Sequence, residues 1–200
     1  MEKIFPAYIF LMYRLGPKLA NTEKMVLYGT LLGGSSLIRP AHGKNCYLSM
    51  RDMDYYWLLY KVEELGNFFK IDDCTIKLEN KTYRCHSIAY PIFNETYNLF
   101  YKDGQKIINP QVLDLLNDTA WMVWFLDAGR KSKRRAYLRT QKFGEAGSYL
   151  IRDYFNSLGC MCNVHRHRGF YEIVFTNKGA WEFLATLAHR VPKFLEHRLE

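Results

Sequence analysis

Two hundred residues suffice for one large domain or two small ones sharing a core. Apolar residues make up 48% and charged residues 24%, which argues against a disordered, collagen-like or disulfide-stapled chain. The net charge of +8 suits polyanions, nucleic acid first and an anionic membrane second. The five cysteines, at positions 46, 74, 85, 160 and 162, are an odd, scattered set that favours reduced thiols. No apolar run approaches 18 residues, and Pro6 and Arg14 interrupt the apolar stretch 4–15. Neither a signal h-region nor a membrane span is expected, so the protein is read as soluble, without a membrane partner and not secreted. Aromatics reach 16%, with 15 tyrosines, more than a core needs.

In chain order, residues 1–22 read as an N-terminal extension. Residues 23–33 (EKMVLYGTLLG) read as an apolar helix with Thr22 as its N-cap. Short strand-like runs at 36–38 and 45–50 are broken by Pro40 and Gly43. Residues 53–66 (MDYYWLLYKVEELG) have amphipathic helical spacing, ended by Gly66. The runs CTIKLEN and TYRCHSIA alternate around Asn80-Lys81, a hairpin signal. Residues 92–101 read as a helix before the turn at Asp103-Gly104.

The second half repeats this order. An apolar helix at 119–128, capped by Asp118 or Thr119, stops at Gly129. A basic strand at 134–141 follows, then a helix at 145–158 ending at Gly159. CNVHRH and FYEIVFT face each other across Arg168-Gly169, and a last helix runs from about 178 to 189. Two αββαββα units at a spacing of roughly 95 residues imply duplication and pseudo-two-fold symmetry. The fold class is therefore α+β, with a first repeat at 23–108 and a second at 109–200 in one compact body.

The two apolar helices end in small residues: Gly29, Gly33 and Gly34 in one, Ala128 and Gly129 in the other. Gly29 and Gly33, four apart, lie on one face and let another backbone approach. These helices are predicted to pack as the seam between the halves, their C-terminal ends side by side at one surface. Trp57, Tyr60, Trp121 and Trp181 have the spacing of core residues. Cys46, Cys74 and Cys85 read as core or half-buried strand positions.

Here the sequence resembles the LAGLIDADG homing endonucleases and their intron-maturase relatives. Tyr28-Gly29-Thr30-Leu31-Leu32-Gly33-Gly34-Ser35 follows the family's G-x-L-L-G-D-G/A motif, and Trp124-Phe125-Leu126-Asp127-Ala128-Gly129 its W-[FY]-[ML]-D-D-G motif. The segment 98–108, the run Leu138-Arg139-Thr140-Gln141-Lys142-Phe143 and the ending Val191-Pro192-Lys193-Phe194 resemble further family segments in the same order. The resemblance spans 23–198 and implies a saddle of antiparallel strands over a central helix pair.

The departure lies at the catalytic positions. The family's last motif acids bind divalent metal beside the scissile phosphates, work that hard oxygen ligands do. Gly34 and Ala128 stand there instead, and neither side chain ligates metal. Asp127 occupies the preceding position, turned about 100° around the helix. Lys106 matches one family active-site lysine, and the second falls on His197 or Arg198. Cleavage chemistry is expected to be lost, with no catalytic residue and no cofactor. Mg²⁺ enters only in the alternative, an active endonuclease cutting double-stranded DNA with metal recruited by Asp127, Glu145 or another acid.

Residues 130–142 (RKSKRRAYLRTQK) carry seven Lys/Arg and no acid. Alternation places Arg135, Tyr137 and Arg139 on one face, with Arg134, Ala136 and Leu138 on the other. Arginine forks and Gln141 suit phosphates and base edges. The expected nucleic-acid-binding set is Arg39, Lys44, Arg130, Lys131, Lys133, Arg134, Arg135, Tyr137, Arg139, Gln141, Lys142, Arg166 and Arg168. Tyr47, Arg51, Lys77 and Arg84 are weaker first-half candidates, so the footprint leans toward the second half. Cys160, Cys162, His165 and His167 lack a usual zinc spacing, and a strand splits Cys162 from the two histidines, so no metal site is expected. The resemblance implies binding to structured RNA in preference to DNA, as a maturase-like splicing factor or a fixed subunit of an organellar ribonucleoprotein such as a ribosome. It also implies an organellar setting, which a chain start unlike a transit peptide would reconcile only with local synthesis or a removed presequence.

Overall fold

The computed structural model describes residues 19–69, 76–167 and 169–199. Residues 1–18, Cys74 and Arg168 lie outside the described residues. The first half runs α1 (Asn21–Leu32), β1 (Ser36–Ile38), β2 (Tyr47–Asp52), α2 (Tyr55–Glu64), β3 (Lys77–Glu79), β4 (Thr82–His86) and α3 (Pro91–Phe100). After a small hairpin of β5 (Tyr101–Lys102) and β6 (Gln105–Lys106) comes α4 (Pro110–Asp114). The second half runs α5 (Asp118–Ala128), β7 (Gly129–Ser132), β8 (Arg135–Arg139), α6 (Gly144–Ser157), β9 (Cys162–His167), β10 (Phe170–Phe175) and α7 (Asn177–Ala188). A 3₁₀ segment, Lys193–Leu199, follows.

The two sheets have the same antiparallel order, β1-β2-β4-β3 and β7-β8-β10-β9. The expected α+β fold and its repeated unit are both present. Three details differ from the sequence reading. Thr22 does not cap α1: the chain enters at Ala20, and Glu23 accepts the Ala20 N–H at 2.6 Å. Asn117, not Asp118 or Thr119, caps α5, its side chain accepting from Thr119 and Ala120 N–H. The basic strand expected at 134–141 is β8, and it pairs with a strand the sequence reading lacks, β7, across the turn at Lys133-Arg134 with Lys133 at φ +54°.

α1 and α5 lie together at the centre and are buried along most of their length. A β-carbon at Gly29 would stand 2.5 Å from the Ala120 carbonyl oxygen and 2.7 Å from Val123 Cβ, so only glycine permits this approach. Gly33 faces Asp127 in the same way. The apolar faces of the sheets close over this pair. Leu37, Leu48, Met50 and Cys85 point inward from the first, and Ala136, Leu138, Cys162, Ile173 and Phe175 from the second.

One expected core residue is not in the core. α7 buries Ala180, Phe183 and Leu187, the i, i+3, i+7 row, and Trp181 falls off that row. It is 66% exposed. Trp57 and Trp124 are fully buried, while Tyr60 and Trp121 pack half-buried against the core.

Candidate nucleic-acid interface

A period of two assigns every strand residue to a side. In the second sheet the rows opposite the buried one hold Arg130, Arg135, Tyr137 and Arg139, continued across the ladder by Glu172, His165 and His167. The Arg130 guanidinium lies 3.7 Å over the Tyr137 ring and 3.4 Å from the Glu172 carboxylate. Gln141 and Lys142 are exposed on the 3₁₀ turn that follows β8. These side chains form one continuous basic and aromatic face.

The hairpin sends other candidates elsewhere. Lys131 pairs in register with buried Ala136 and so belongs to the helix side of the sheet. Lys131 and Arg134 line a groove with Trp181 behind the sheet, and Lys133 stands on the turn. Arg166 shares the row of Cys162 and stacks toward the Tyr171 ring at 5.6 Å.

The first half contributes less. Arg39 stacks 4.2 Å over Tyr97 and donates to Asn98. Lys44 is exposed between β1 and β2. Arg51 and Arg84 sit opposite each other on the outer row, where Arg84 also meets Glu79 at 3.2 Å, while Tyr47 stands edge-on to His86. Lys77 continues this row on β3.

At the seam, Gly34 is exposed, with no atom of the described residues beyond its chain neighbours within 4 Å of where its β-carbon would stand, and Ala128 is buried. The carbonyl ends of both central helices, where the helix dipole concentrates negative charge, hold protein cations. Lys106 Nζ donates to the Leu31 and Ser35 carbonyls, both at 2.6 Å. Arg139 Nε donates to the Ala128 carbonyl at 3.3 Å, and Arg198 to the Leu126 carbonyl at 3.1 Å and to Asp54 at 2.9 Å. His197 is exposed beside it. Burial pushes the Lys106 ammonium down to about 7; nearby Lys142 adds to this and Asp127 opposes it. The two carbonyl acceptors favour the charged form.

Asp127 is bound from within. Its Oδ1 accepts from Trp57 Nε1 at 2.6 Å and Lys61 Nζ at 2.7 Å, and both ion-pair side chains are almost wholly buried. Oδ2 lies against Gly33 without a hydrogen-bond partner among the described residues. Asp52 is the second anion near Lys61, at 3.6 Å. Burial raises the Asp52 carboxyl above its usual range, and Lys61 opposes that rise. Lys61 escaped the sequence reading, although one signal was there. It follows Trp57 and Leu58 on the stripe that α2 buries, and a core lysine requires a counter-ion.

This donor set does not fit a divalent cation. Neither motif position offers an oxygen-bearing side chain, the remaining acid is held by an ammonium and an indole, and three cations occupy the adjoining carbonyls. Glu145 is exposed on the first turn of α6. Cys160 and Cys162 are buried, with the Cys162 thiol pushed up to about 12 by burial, whereas His165 and His167 are exposed across the pleat. Those four do not converge on a common point.

No helix among the described residues is long and apolar enough to cross a membrane. A comparison with curated protein sequences found no match. Among solved structures, the homing endonuclease I-WcaI bound to its DNA recognition sequence superposes with a TM-score of 0.86 at 16% identity, covering 98% of this chain and 93% of that one. I-DmoI in complex with DNA and Mn gives 0.56 at 14% identity, covering 84% and 96%. The N-terminal LAGLIDADG domain of DUF199/WhiA gives 0.54 at 11% identity, covering 92% and 90%. The sequence profile of the LAGLIDADG DNA endonuclease family matches residues 24–183, and with the doubled sheet-and-helix unit and its glycine-lined seam this places the chain in that family.

Proposed function

We propose that this chain is a LAGLIDADG protein that binds nucleic acid without cutting it, and that its ligand is structured RNA. The observation that carries the reading is the seam, where Gly34 and Ala128 stand in place of both metal acids and Lys106, Arg139 and Arg198 occupy the helix carbonyls. A basic strand face remains, and Lys and Arg neutralise phosphates of either polymer. A fold that has given up its metal ligands keeps the use that maturases make of it, holding a folded RNA. A maturase-like factor or a fixed subunit of a ribonucleoprotein both follow from such binding.

The alternative is an endonuclease acting on double-stranded DNA, and the DNA-bound states of I-WcaI and I-DmoI favour it. The two readings part in one set of assays. Purified protein with Mg²⁺ or Mn²⁺ should leave every duplex intact, including the one it binds best, and structured RNA should outcompete duplex DNA of equal length at physiological salt. Replacing Arg130, Arg135 and Lys142 together by Ala should lower the magnitude of the slope of log affinity against log salt by up to about 3. Arg139 is left in place because it also holds the Ala128 carbonyl. Specific double-strand cutting by the unaltered protein would overturn the proposal, and equal affinity for RNA and DNA would remove its RNA half.

A further inference from the structure

Behind the second sheet, away from the basic strand face, α7 presents Trp181, Leu184, Ala185 and Ala188 at helical spacing. With Lys131 and Arg134 these residues line a groove of about 450 Å³, and none of its lining residues among the described ones is acidic. Both cations are on this side because β7 and β8 form a hairpin: the pleat turns Lys131 away from Arg130, and the turn carries Arg134 past the sheet edge. Trp181, large and costly to leave in water, is 66% exposed here, beside two positive charges.

An exposed indole next to cations has the chemistry of a base-stacking platform. Every nucleobase has a π-face, and the phosphate beside it needs a positive partner. A groove of this volume is the size of a small-ligand site. We propose that it is a second nucleic-acid site, which takes an unpaired nucleotide of a single-stranded RNA segment, the base stacked on Trp181 and the phosphate held by Lys131 and Arg134. The inference rests on reading the chain as RNA-binding, and it sharpens that reading. A folded RNA offers unpaired nucleotides beside its helices, so one molecule can engage the strand face and the groove together. A blunt duplex keeps its bases stacked and has none to offer.

The test titrates the full chain with a short oligouridylate while tryptophan emission and affinity are followed. Binding should quench emission, and Trp181→Phe should remove the tryptophan signal while retaining part of the affinity. Trp181→Ala should weaken binding about 10-fold, the loss expected of one stacked base. Lys131→Gln with Arg134→Gln should reduce the magnitude of the salt slope by about 0.7, the one phosphate the pair neutralises on a single strand. A blunt RNA duplex should produce no quench. The strand-face variant at Arg130, Arg135 and Lys142 should keep the tryptophan quench by oligouridylate even where its overall affinity falls, whereas the Trp181 variants lose it, so failure of the groove and failure of the saddle are separable. Absence of a quench, unchanged affinity in Trp181→Ala, or loss of oligouridylate binding only in the strand-face variant would each overturn the proposal.

Discussion

Asp127 invites the sharpest perturbation, because it stands one residue before a metal-acid position and its surroundings make it a structural anion. Replacing Asp127 by Ala leaves the Lys61 ammonium fully buried with, among the described residues, only Asp52, 3.6 Å away, as a carboxylate partner, and strands the Trp57 indole N–H. Breaking a buried pair by removing one partner costs about 3–5 kcal/mol. That is a large share of the roughly 5–15 kcal/mol that holds a domain folded. With a urea slope of about 2 kcal/mol/M, the unfolding midpoint should fall by about 1.5–2.5 M. Asp127→Asn retains the size and a hydrogen-bond acceptor for Trp57, so it should cost less than Ala but still leave the ammonium with the more distant Asp52 carboxylate. Adding Lys61→Met removes the stranded charge, and the double variant Lys61→Met/Asp127→Asn should recover at least half of the single-variant loss. A metal-ligand role predicts otherwise. Mg²⁺ would then stabilise the unaltered protein, by about 2.7 kcal/mol at a hundredfold excess over its dissociation constant, and Asp127→Asn would abolish that gain. A loss below about 1 kcal/mol in Asp127→Ala, or a double variant no better than the sum of its singles, would refute the buried-pair argument.

Gly29→Leu should destabilise by at least the roughly 1–3 kcal/mol of ordinary overpacking, because the atom it meets is the Ala120 backbone carbonyl; a midpoint equal to the unaltered protein's would mean that the seam can open. Asp118 loses solvation at the start of α5, yet hydrogen bonds from Arg190, the Thr119 N–H and His189 outweigh that and hold its carboxyl below the usual range. Its folded pKa is thus the lower one: its stabilisation should be complete above the unfolded value near about 3.9 and vanish as pH falls through the folded value, an acid dependence that Asp118→Asn should lack in urea titrations. Gly34→Asp with Ala128→Asp restores two acids, with open space at the first, and should confer Mn²⁺ affinity measurable by calorimetry; no heat of binding would mean that Lys106 and Arg139 neutralise the new carboxylates.

Much of the architecture is written in local chemistry. The glycine-ended apolar helices, the hairpin at Asn80-Lys81 with both residues at positive φ, and the αββαββα order repeated in each half are all legible from residue types and spacing. Gly34 and Ala128 are legible too, because an absent carboxylate is a property of the residue itself. What a cation or an aromatic faces is decided elsewhere. Within the basic run 130–142 only the strand at 134–141 is legible; β7 is defined by its pairing with β8, and that pairing sends Arg130, Arg135 and Arg139 to one side and Lys131 to the other. Trp181 has the spacing of a core residue and stands in water because Phe183 and Leu187 already fill the space beneath α7. Lys61 and Asp127, 66 positions apart, meet only when α2 folds against the central pair. Sequence periodicity reports which residues share a face of one element. It holds no record of which element covers that face, and long-range pairs such as these exist only once the tertiary packing is complete.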